Sequence, residues 1–385
     1  MKNTRRLMLA GLGLAWSLLA GQAQAADGLV TDLAARTVRL PASSERILLG
    51  EGRLIPALAI LEREDVSRRI VGMPGDFEQL DPAGYAQYAQ RFPRLRTVAR
   101  TGRTTAESFS VEKAIALKPD VAIFGLEGHG PSPNDRETLA RLSAAGIVVV
   151  FVDFRKEPLQ NTARSMEIMG RVLRRDKEAA AFVAEYTAQL ARVTRKLATL
   201  KTPGPTVFLE NRVGLGEECC ATMSNGLMGR LLDAAGGVNM AKGLVPGAFG
   251  MLSLEQLVSR PPDVYIGTAI GSPETAARMP MRIVLGAGVD AKTAQDSLAR
   301  AVQRKGIATL PAVRQGRAHA VWHHFYNSPF NVVAVQVLAK WLHPELFRDL
   351  EPQQTLAMFY QRFQPVPLSG QYWTTLAPAA ATASR

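Results

Sequence analysis

The chain has 385 residues, 47% hydrophobic and 21% charged, with two cysteines and a formal net charge of +12. That length is too great for one ordinary core and suits two domains, while the apolar content is too high for a disordered chain. Charge alone assigns no partner: nucleic acid is not expected for an exported chain, an anionic small ligand or membrane surface fits better, and a solvated basic surface fits as well.

Residues Met1–Ala25 carry Lys2, Arg5 and Arg6, an apolar run from Leu7 to Ala20, and the small-residue sequence Ala23-Gln24-Ala25. This is the pattern of a cleavable secretory signal peptide. Thr4-Arg5-Arg6-Leu7 also faintly resembles a twin-arginine signal, so either export route is open. No cysteine precedes Cys219, which leaves no thiol for lipid attachment near the cleavage site and predicts a soluble periplasmic protein. No later apolar stretch reaches the roughly 18 residues needed to span a bilayer.

Thr37–Leu40 and Arg46–Gly50 read as strands, and the loop Gly50-Glu51-Gly52-Arg53 opens a helix over Leu54–Leu61. Strands and helices then alternate: Ile70–Gly72, helix Ser110–Leu117, strand Val121–Phe124, helix Arg136–Ala144 and strand Ile147–Phe154. This alternation predicts an α/β lobe with a mainly parallel sheet. The uniformly apolar Val148–Val152 is the pattern of a strand covered on both faces.

From Leu159 to about Leu200 apolar residues recur at three- and four-residue spacing, predicting one long connecting helix over 159–202 that ends at Thr202-Pro203-Gly204-Pro205. A second α/β lobe follows over 203–376. Its elements are strand Thr206–Glu210, helix Gly226–Ala235, helix Glu255–Val258, strand Val264–Ile266 and strand His319–Trp322, followed by helices Val332–Leu342 and Pro352–Arg362. The first lobe spans 26–158. The Ala-rich tail, 377–385, is expected to be disordered.

The two halves share a motif. Ser110-Val111-Glu112 through Pro119-Asp120-Val121 and Ser253-Leu254-Glu255 through Pro262-Asp263-Val264 each place a Ser at a helix N-cap, a Glu in the first turn, a Pro beyond the helix and an Asp before an apolar strand. With Gly229–Asn239, Gly316-Arg317-Ala318 and Ala339–Phe347, these motifs resemble the periplasmic substrate-binding proteins of ABC importers for iron-siderophore, haem and cobalamin. The resemblance covers about Arg46–Phe347. It implies two α/β lobes joined by a single long helix, ligand held in the cleft between them, a small closing motion, and docking of Glu112 and Glu255 onto arginines of a membrane permease. A first-turn Glu also complements the helix dipole, worth about 0.3–1 kcal/mol, whatever else it does.

Ligands of open α/β sheets bind beyond the carboxyl ends of the strands. Among the loops there, Arg53, Arg103 and Arg212 suit the anionic oxygen shell of a ferric siderophore, with Tyr326 as an aromatic flank and His323 as a further ligand contact. A surface charge or structural ion pair is the plain alternative for each Arg. His129, His323 and His324 are candidate metal ligands across the cleft, although adjacent side chains of an extended segment point apart, so His323 and His324 should not share one ion. Ordinary loop or core histidines are the plainer alternative, and His343 reads as structural.

Cys219 and Cys220 are adjacent, so in an oxidising compartment they can form a vicinal disulfide or, less simply, bind a soft metal. No Gly-x-Ser-x-Gly elbow, His-Glu-x-x-His helix or phosphate-cradling Gly loop with Lys is present, which argues against an enzyme and leaves a periplasmic metal-dependent hydrolase as a remote alternative. The expectation is therefore capture of an iron complex, foremost a ferric siderophore; haem, a nickel or other metal chelate, and cobalamin are alternatives. The expected partners are an ABC permease dimer in the inner membrane and a small-molecule metal complex, with the protein a monomer, no nucleic acid and no resident cofactor.

Overall fold

Alternating strand side chains give each sheet two apolar faces to cover. In the computed structural model, which describes residues 28–216 and 219–377, Leu48, Ala122, Phe124, Val149 and Phe151 face one side of the first sheet, where Val111, Ala114 and Leu142 cover them. Ile47, Leu49, Val121, Ile123, Val150 and Val152 face the other side. Full burial of one such aliphatic side chain contributes about 1.5–3 kcal/mol. The sheet has five parallel strands: Ala99–Arg100, Ile70–Met73, Ile47–Leu49, Val121–Gly125 and Val148–Val152, in that spatial order.

The second sheet has seven strands. Thr206–Glu210, Val264–Ala269 and Ala318–Trp322 are parallel neighbours at its centre, Val238–Asn239 pairs parallel with the first of these, and the outer strands Ala221–Met223, Phe249–Met251 and Trp373–Thr375 run antiparallel to their neighbours. Val207, Leu209, Val264, Ile266 and Val321 join the same apolar cluster as the inner face of the first sheet. Phe208, Tyr265, Ala318 and Ala320 form a separate core on the outer face. Each lobe is thus a sheet between helical layers, and one continuous core runs through both.

The connecting segment corrects the sequence reading of one helix over 159–202. It forms two helices, Pro158–Leu173 and Asp176–Leu197, which pack on each other and on helices of both lobes, Ile55–Leu61 and Asn331–Leu342. The break is at Arg174, whose φ of 57° is left-handed and ends the first helix, with the Arg175 N–H returning to the Gly170 carbonyl at 2.7 Å. The side chain of Glu157, just before the first helix, pairs with Arg230 of the second lobe at 2.8 Å and adds a polar tie across the lobes.

Both predicted capped helices form. The Ser110 hydroxyl accepts from the Lys113 N–H, and Ser253 forms a reciprocal capping box with Gln256. The segment after Trp322, expected to be an extended loop, is a 3₁₀ turn over His323–Asn327. Cys219 and Cys220 are joined as a vicinal disulfide. His343 accepts its expected structural place, with Nε2 3.2 Å from the Gly236 carbonyl. The signal-peptide residues and all of the tail beyond Ala377 lie outside the described residues.

Candidate functional site

The carboxyl ends of the strands in both sheets point their loops at the lobe boundary. The strand Ile47–Leu49 leads into Gly50-Glu51-Gly52-Arg53, and the last three of these stay buried. Gly52 eases the packing there: a Cβ would lie a tight 3.0 Å from the Pro74 carbonyl and 3.1 Å from Asp76 Oδ1. That close approach lets the Gly52 N–H donate to Asp76 Oδ1 at 2.6 Å and the Arg53 N–H to Oδ2 at 3.3 Å. Asp76, the first residue of the short helix Asp76–Leu80 that follows strand Ile70–Met73, thereby satisfies N–H groups at the start of the 3₁₀ turn Gly52–Leu54 and fixes the side chain of Arg53.

Arg53 is the hub. Its Nε donates to Asp76 Oδ2 at 3.3 Å, Nη1 to His324 Nδ1 at 2.8 Å and to the Tyr326 hydroxyl at 3.3 Å, and Nη2 to His129 Nε2 at 2.8 Å. Nη2 also lies 2.6 Å from Glu51 Oε1, so no nitrogen of the guanidinium lacks a partner. The residues it joins come from both lobes.

The other nitrogens of two histidines fix their tautomers. His129 Nδ1 donates to the Thr104 carbonyl, which leaves Nε2 bare to accept from Arg53. His324 Nε2 donates to the Leu80 carbonyl at 3.1 Å, which leaves Nδ1 bare. His323 turns away toward Thr268, with Nδ1 3.1 Å from its hydroxyl. The two adjacent histidines therefore do diverge, through the 3₁₀ turn rather than through an extended backbone, with ring centroids 5.5 Å apart.

Glu51 Oε1 collects donors from both sides. Arg155 Nη2 donates to it at 2.9 Å and Asn327 Nδ2 at 2.6 Å, besides its contact with Arg53. Arg155 is set by Asp153, whose carboxylate accepts the N–H groups of Arg155, Lys156 and Glu157 at 2.7–2.9 Å. The guanidinium lies 5.1 Å from the Tyr326 ring centroid, and its Nε is buried with no acceptor.

These contacts govern the charges. Burial opposes the ionisation of Glu51, but Arg155 and Arg53 outweigh it and hold the carboxyl at about 2. Burial and the neighbouring Glu51 charge push Asp76 up to about 6, against the pull of Arg53. Burial pushes the Tyr326 phenol up, but Arg53 and Arg155 bring it below its ordinary value. Burial lowers His129, His323 and His324, the last two strongly, so all three imidazoles are neutral at neutral pH.

Of the residues singled out in the sequence, Arg53, His129, His324 and Tyr326 meet in one cluster, with His323 beside them at 4.9 Å from the Tyr326 ring. Arg212 lies half-buried in a left-handed turn after strand Thr206–Glu210 and places its charge near His323 and Arg282. Arg103 is exposed and outside the cluster, with its backbone N–H donating to the Ser108 hydroxyl. Glu112 and Glu255 are exposed, each in the first turn of its helix. Glu51, Asp76, Arg155 and Asn327 were not singled out. A Gly-Glu-Gly-Arg run and a buried-strand end followed by Asp153 and Arg155 were the available signals.

Glu51, Asp76 and His129 also bring ligand atoms within 4.8 Å of one another, a geometry that a metal ion could use if Arg53 withdrew. Behind Arg53 and His324 lies a cavity of about 40 Å³, walled by Asp81, Tyr88, Trp322 and Tyr360 among others.

The family described as periplasmic binding protein matches residues 83–319. The molybdate-binding protein MolA of Haemophilus influenzae is 22% identical over 362 residues, which is 88% of this chain and 91% of that protein. Among solved structures, the TroA-like periplasmic binding protein FepB from Veillonella parvula superposes with a TM-score of 0.81 at 25% identity, covering 91% of this chain and 99% of that one. Molybdate-bound MolA of H. influenzae superposes with a TM-score of 0.65 at 19% identity, covering 90% of this chain and all of the other. With more than half its length matched and the two-lobed fold shared, this chain belongs to the periplasmic binding protein family, the substrate-binding components of ABC importers.

Proposed function

We propose that this protein captures a compact metal oxyanion of the molybdate class between its lobes and delivers it to the permease of an ABC importer. The observation that carries this reading is the convergence of Arg53, Arg155 and Asn327, from both lobes, on one buried carboxylate oxygen, with Arg155 Nε still lacking an acceptor. A buried guanidinium nitrogen without an acceptor favours an entering anion, since charges attract more strongly away from bulk water. Arg212 adds positive charge on the second-lobe side.

Size favours a ligand of few atoms. Side chains fill the lobe boundary around Arg53, and the adjoining cavity is only about 40 Å³. A ferric siderophore or haem shares the anionic chemistry but calls for a chamber of roughly 300–1,000 Å³. The likeness to MolA along most of both chains points to the same ligand class.

A second reading rests on the bare nitrogens His129 Nε2 and His324 Nδ1, which face one guanidinium from opposite lobes. If Arg53 withdrew, they could complete the coordination of a nickel or iron chelate with open positions. Glu112 and Glu255 are assigned to permease docking in either case, because exposed carboxylates at equivalent places in the two lobes can each meet a cation on one permease subunit.

Titration of intrinsic fluorescence distinguishes the readings, since Trp322 stacks edge-on against His324 with centroids 5.4 Å apart. Saturable quenching by molybdate or tungstate supports the oxyanion reading. Saturable quenching by a ferric catecholate, haemin or nickel-histidine, with none by the oxyanions, replaces it.

A further inference from the structure

We infer that Glu51 is an internal competitor for the ligand, a carboxylate that fills the anion seat of the empty protein and must leave it when an oxyanion enters. The inference rests on the proposed capture of an anion and concerns how that site sets its affinity and selectivity. Oε1 of Glu51 receives Arg155 Nη2 at 2.9 Å and Asn327 Nδ2 at 2.6 Å and lies 2.6 Å from Arg53 Nη2. Every nitrogen of Arg53 is already engaged, so an entering oxygen finds no vacant donor on that residue. Arg155 brings to the cluster a buried Nε with no acceptor among the described residues.

An oxyanion can therefore gain the Arg53 donors, and the Arg155 and Asn327 bonds now given to Glu51, only by displacing that carboxylate. Gly128, whose φ of 152° suits glycine, lets the carboxylate into this seat, because a Cβ there would lie 2.8 Å from Glu51 Oε2. The exchange has two consequences. A carboxylate held permanently among the donors weakens every anion, which favours release to the permease. It also sets a threshold, because a dianion offering several oxygens can replace one carboxylate oxygen where a monovalent anion gains too little.

The test is isothermal titration of the wild type and Glu51→Gln with sodium molybdate, sodium sulfate and sodium formate. Glutamine keeps the shape and an oxygen for Asn327 but removes the competing charge. Glu51→Gln should bind molybdate about tenfold or more tightly, and should bind formate where the wild type does not. Equal or weaker molybdate binding by a folded Glu51→Gln, with normal binding by the wild type, overturns the inference and makes Glu51 a positioning residue. Absence of oxyanion binding by both proteins overturns the functional reading beneath it. Should the variant not fold, a crystal structure of the wild type with molybdate decides: oxyanion oxygens on Arg155 and Asn327 with Glu51 displaced support the competitor, and an unmoved Glu51 contradicts it.

Discussion

The amide of Asn327 donates to Glu51 at 2.6 Å, so the second lobe is fastened to the first through the same carboxylate that Arg53 and Arg155 hold. The carboxylate that organises the site is therefore also a tie between the lobes. Replacing Asn327 by Ala removes a hydrogen bond to a charged group, worth about 1.5–3 kcal/mol. Urea unfolding should show a loss of stability in that range, accompanied by weaker molybdate binding.

Arg155 and Arg103 make opposite predictions. Arg155 carries the unpaired buried Nε, whereas Arg103 is exposed and outside the cluster. Arg155→Ala should weaken molybdate binding by roughly ten- to a hundredfold, the effect of losing one charge-assisted hydrogen bond. Arg103→Ala should leave it within about twofold, as for exposed charges generally. Titration calorimetry on both variants checks the contrast.

Asp81 predicts a pH-dependent stability. Burial pushes its carboxyl up to about 6, against the Gly84 N–H and Arg53, which lower it. A folded-state value above the ordinary 3.8 means that the folded chain binds the proton more tightly, so this residue's contribution to stability falls as pH rises from about 4 to 6 and stays low above that. Asn keeps the cap on the Gly84 N–H without the charge. Asp81→Asn should raise stability by about 1–2 kcal/mol at pH 7.5 and by almost nothing at pH 4, as thermal melts at the two pH values will record.

The two acidic knobs are unequal. Glu112 is paired with Arg141 at 2.7 Å, while Glu255 has no ion pair among the described residues. Charge reversal at Glu255 should therefore reduce delivery to the permease more than reversal at Glu112, where Arg141 already offsets part of the charge. Uptake by vesicles containing the permease measures both.

Local signals read well in this sequence. The capping serines Ser110 and Ser253, the apolar strand Val148–Val152 and the helix Arg136–Ala144 all rest on neighbours within a few residues, and each forms. The break at Arg174 was not legible because no Gly or Asn marks its left-handed turn, and the apolar spacing runs on from Leu173 to Ala179. The helix Pro82–Arg91 was missed although Asp81 and Pro82 supply a cap and first position.

The site divides in the same way. Arg53, His324 and Tyr326 were visible as chemistry-bearing residues in loops at strand ends. Glu51 and Asn327 acquire their meaning only from each other, across 276 positions of sequence. Arg155 depends on Asp153 and Tyr326 for its place, contacts that no local pattern encodes.

Capture of a compact oxyanion by donors from both lobes can be checked by calorimetric titration of the mature wild-type protein with sodium molybdate, beside a ferric catecholate. Saturable binding of one molybdate per chain, with no comparable binding of the ferric complex, is expected. Saturable binding of the ferric complex with no heat from molybdate would contradict it.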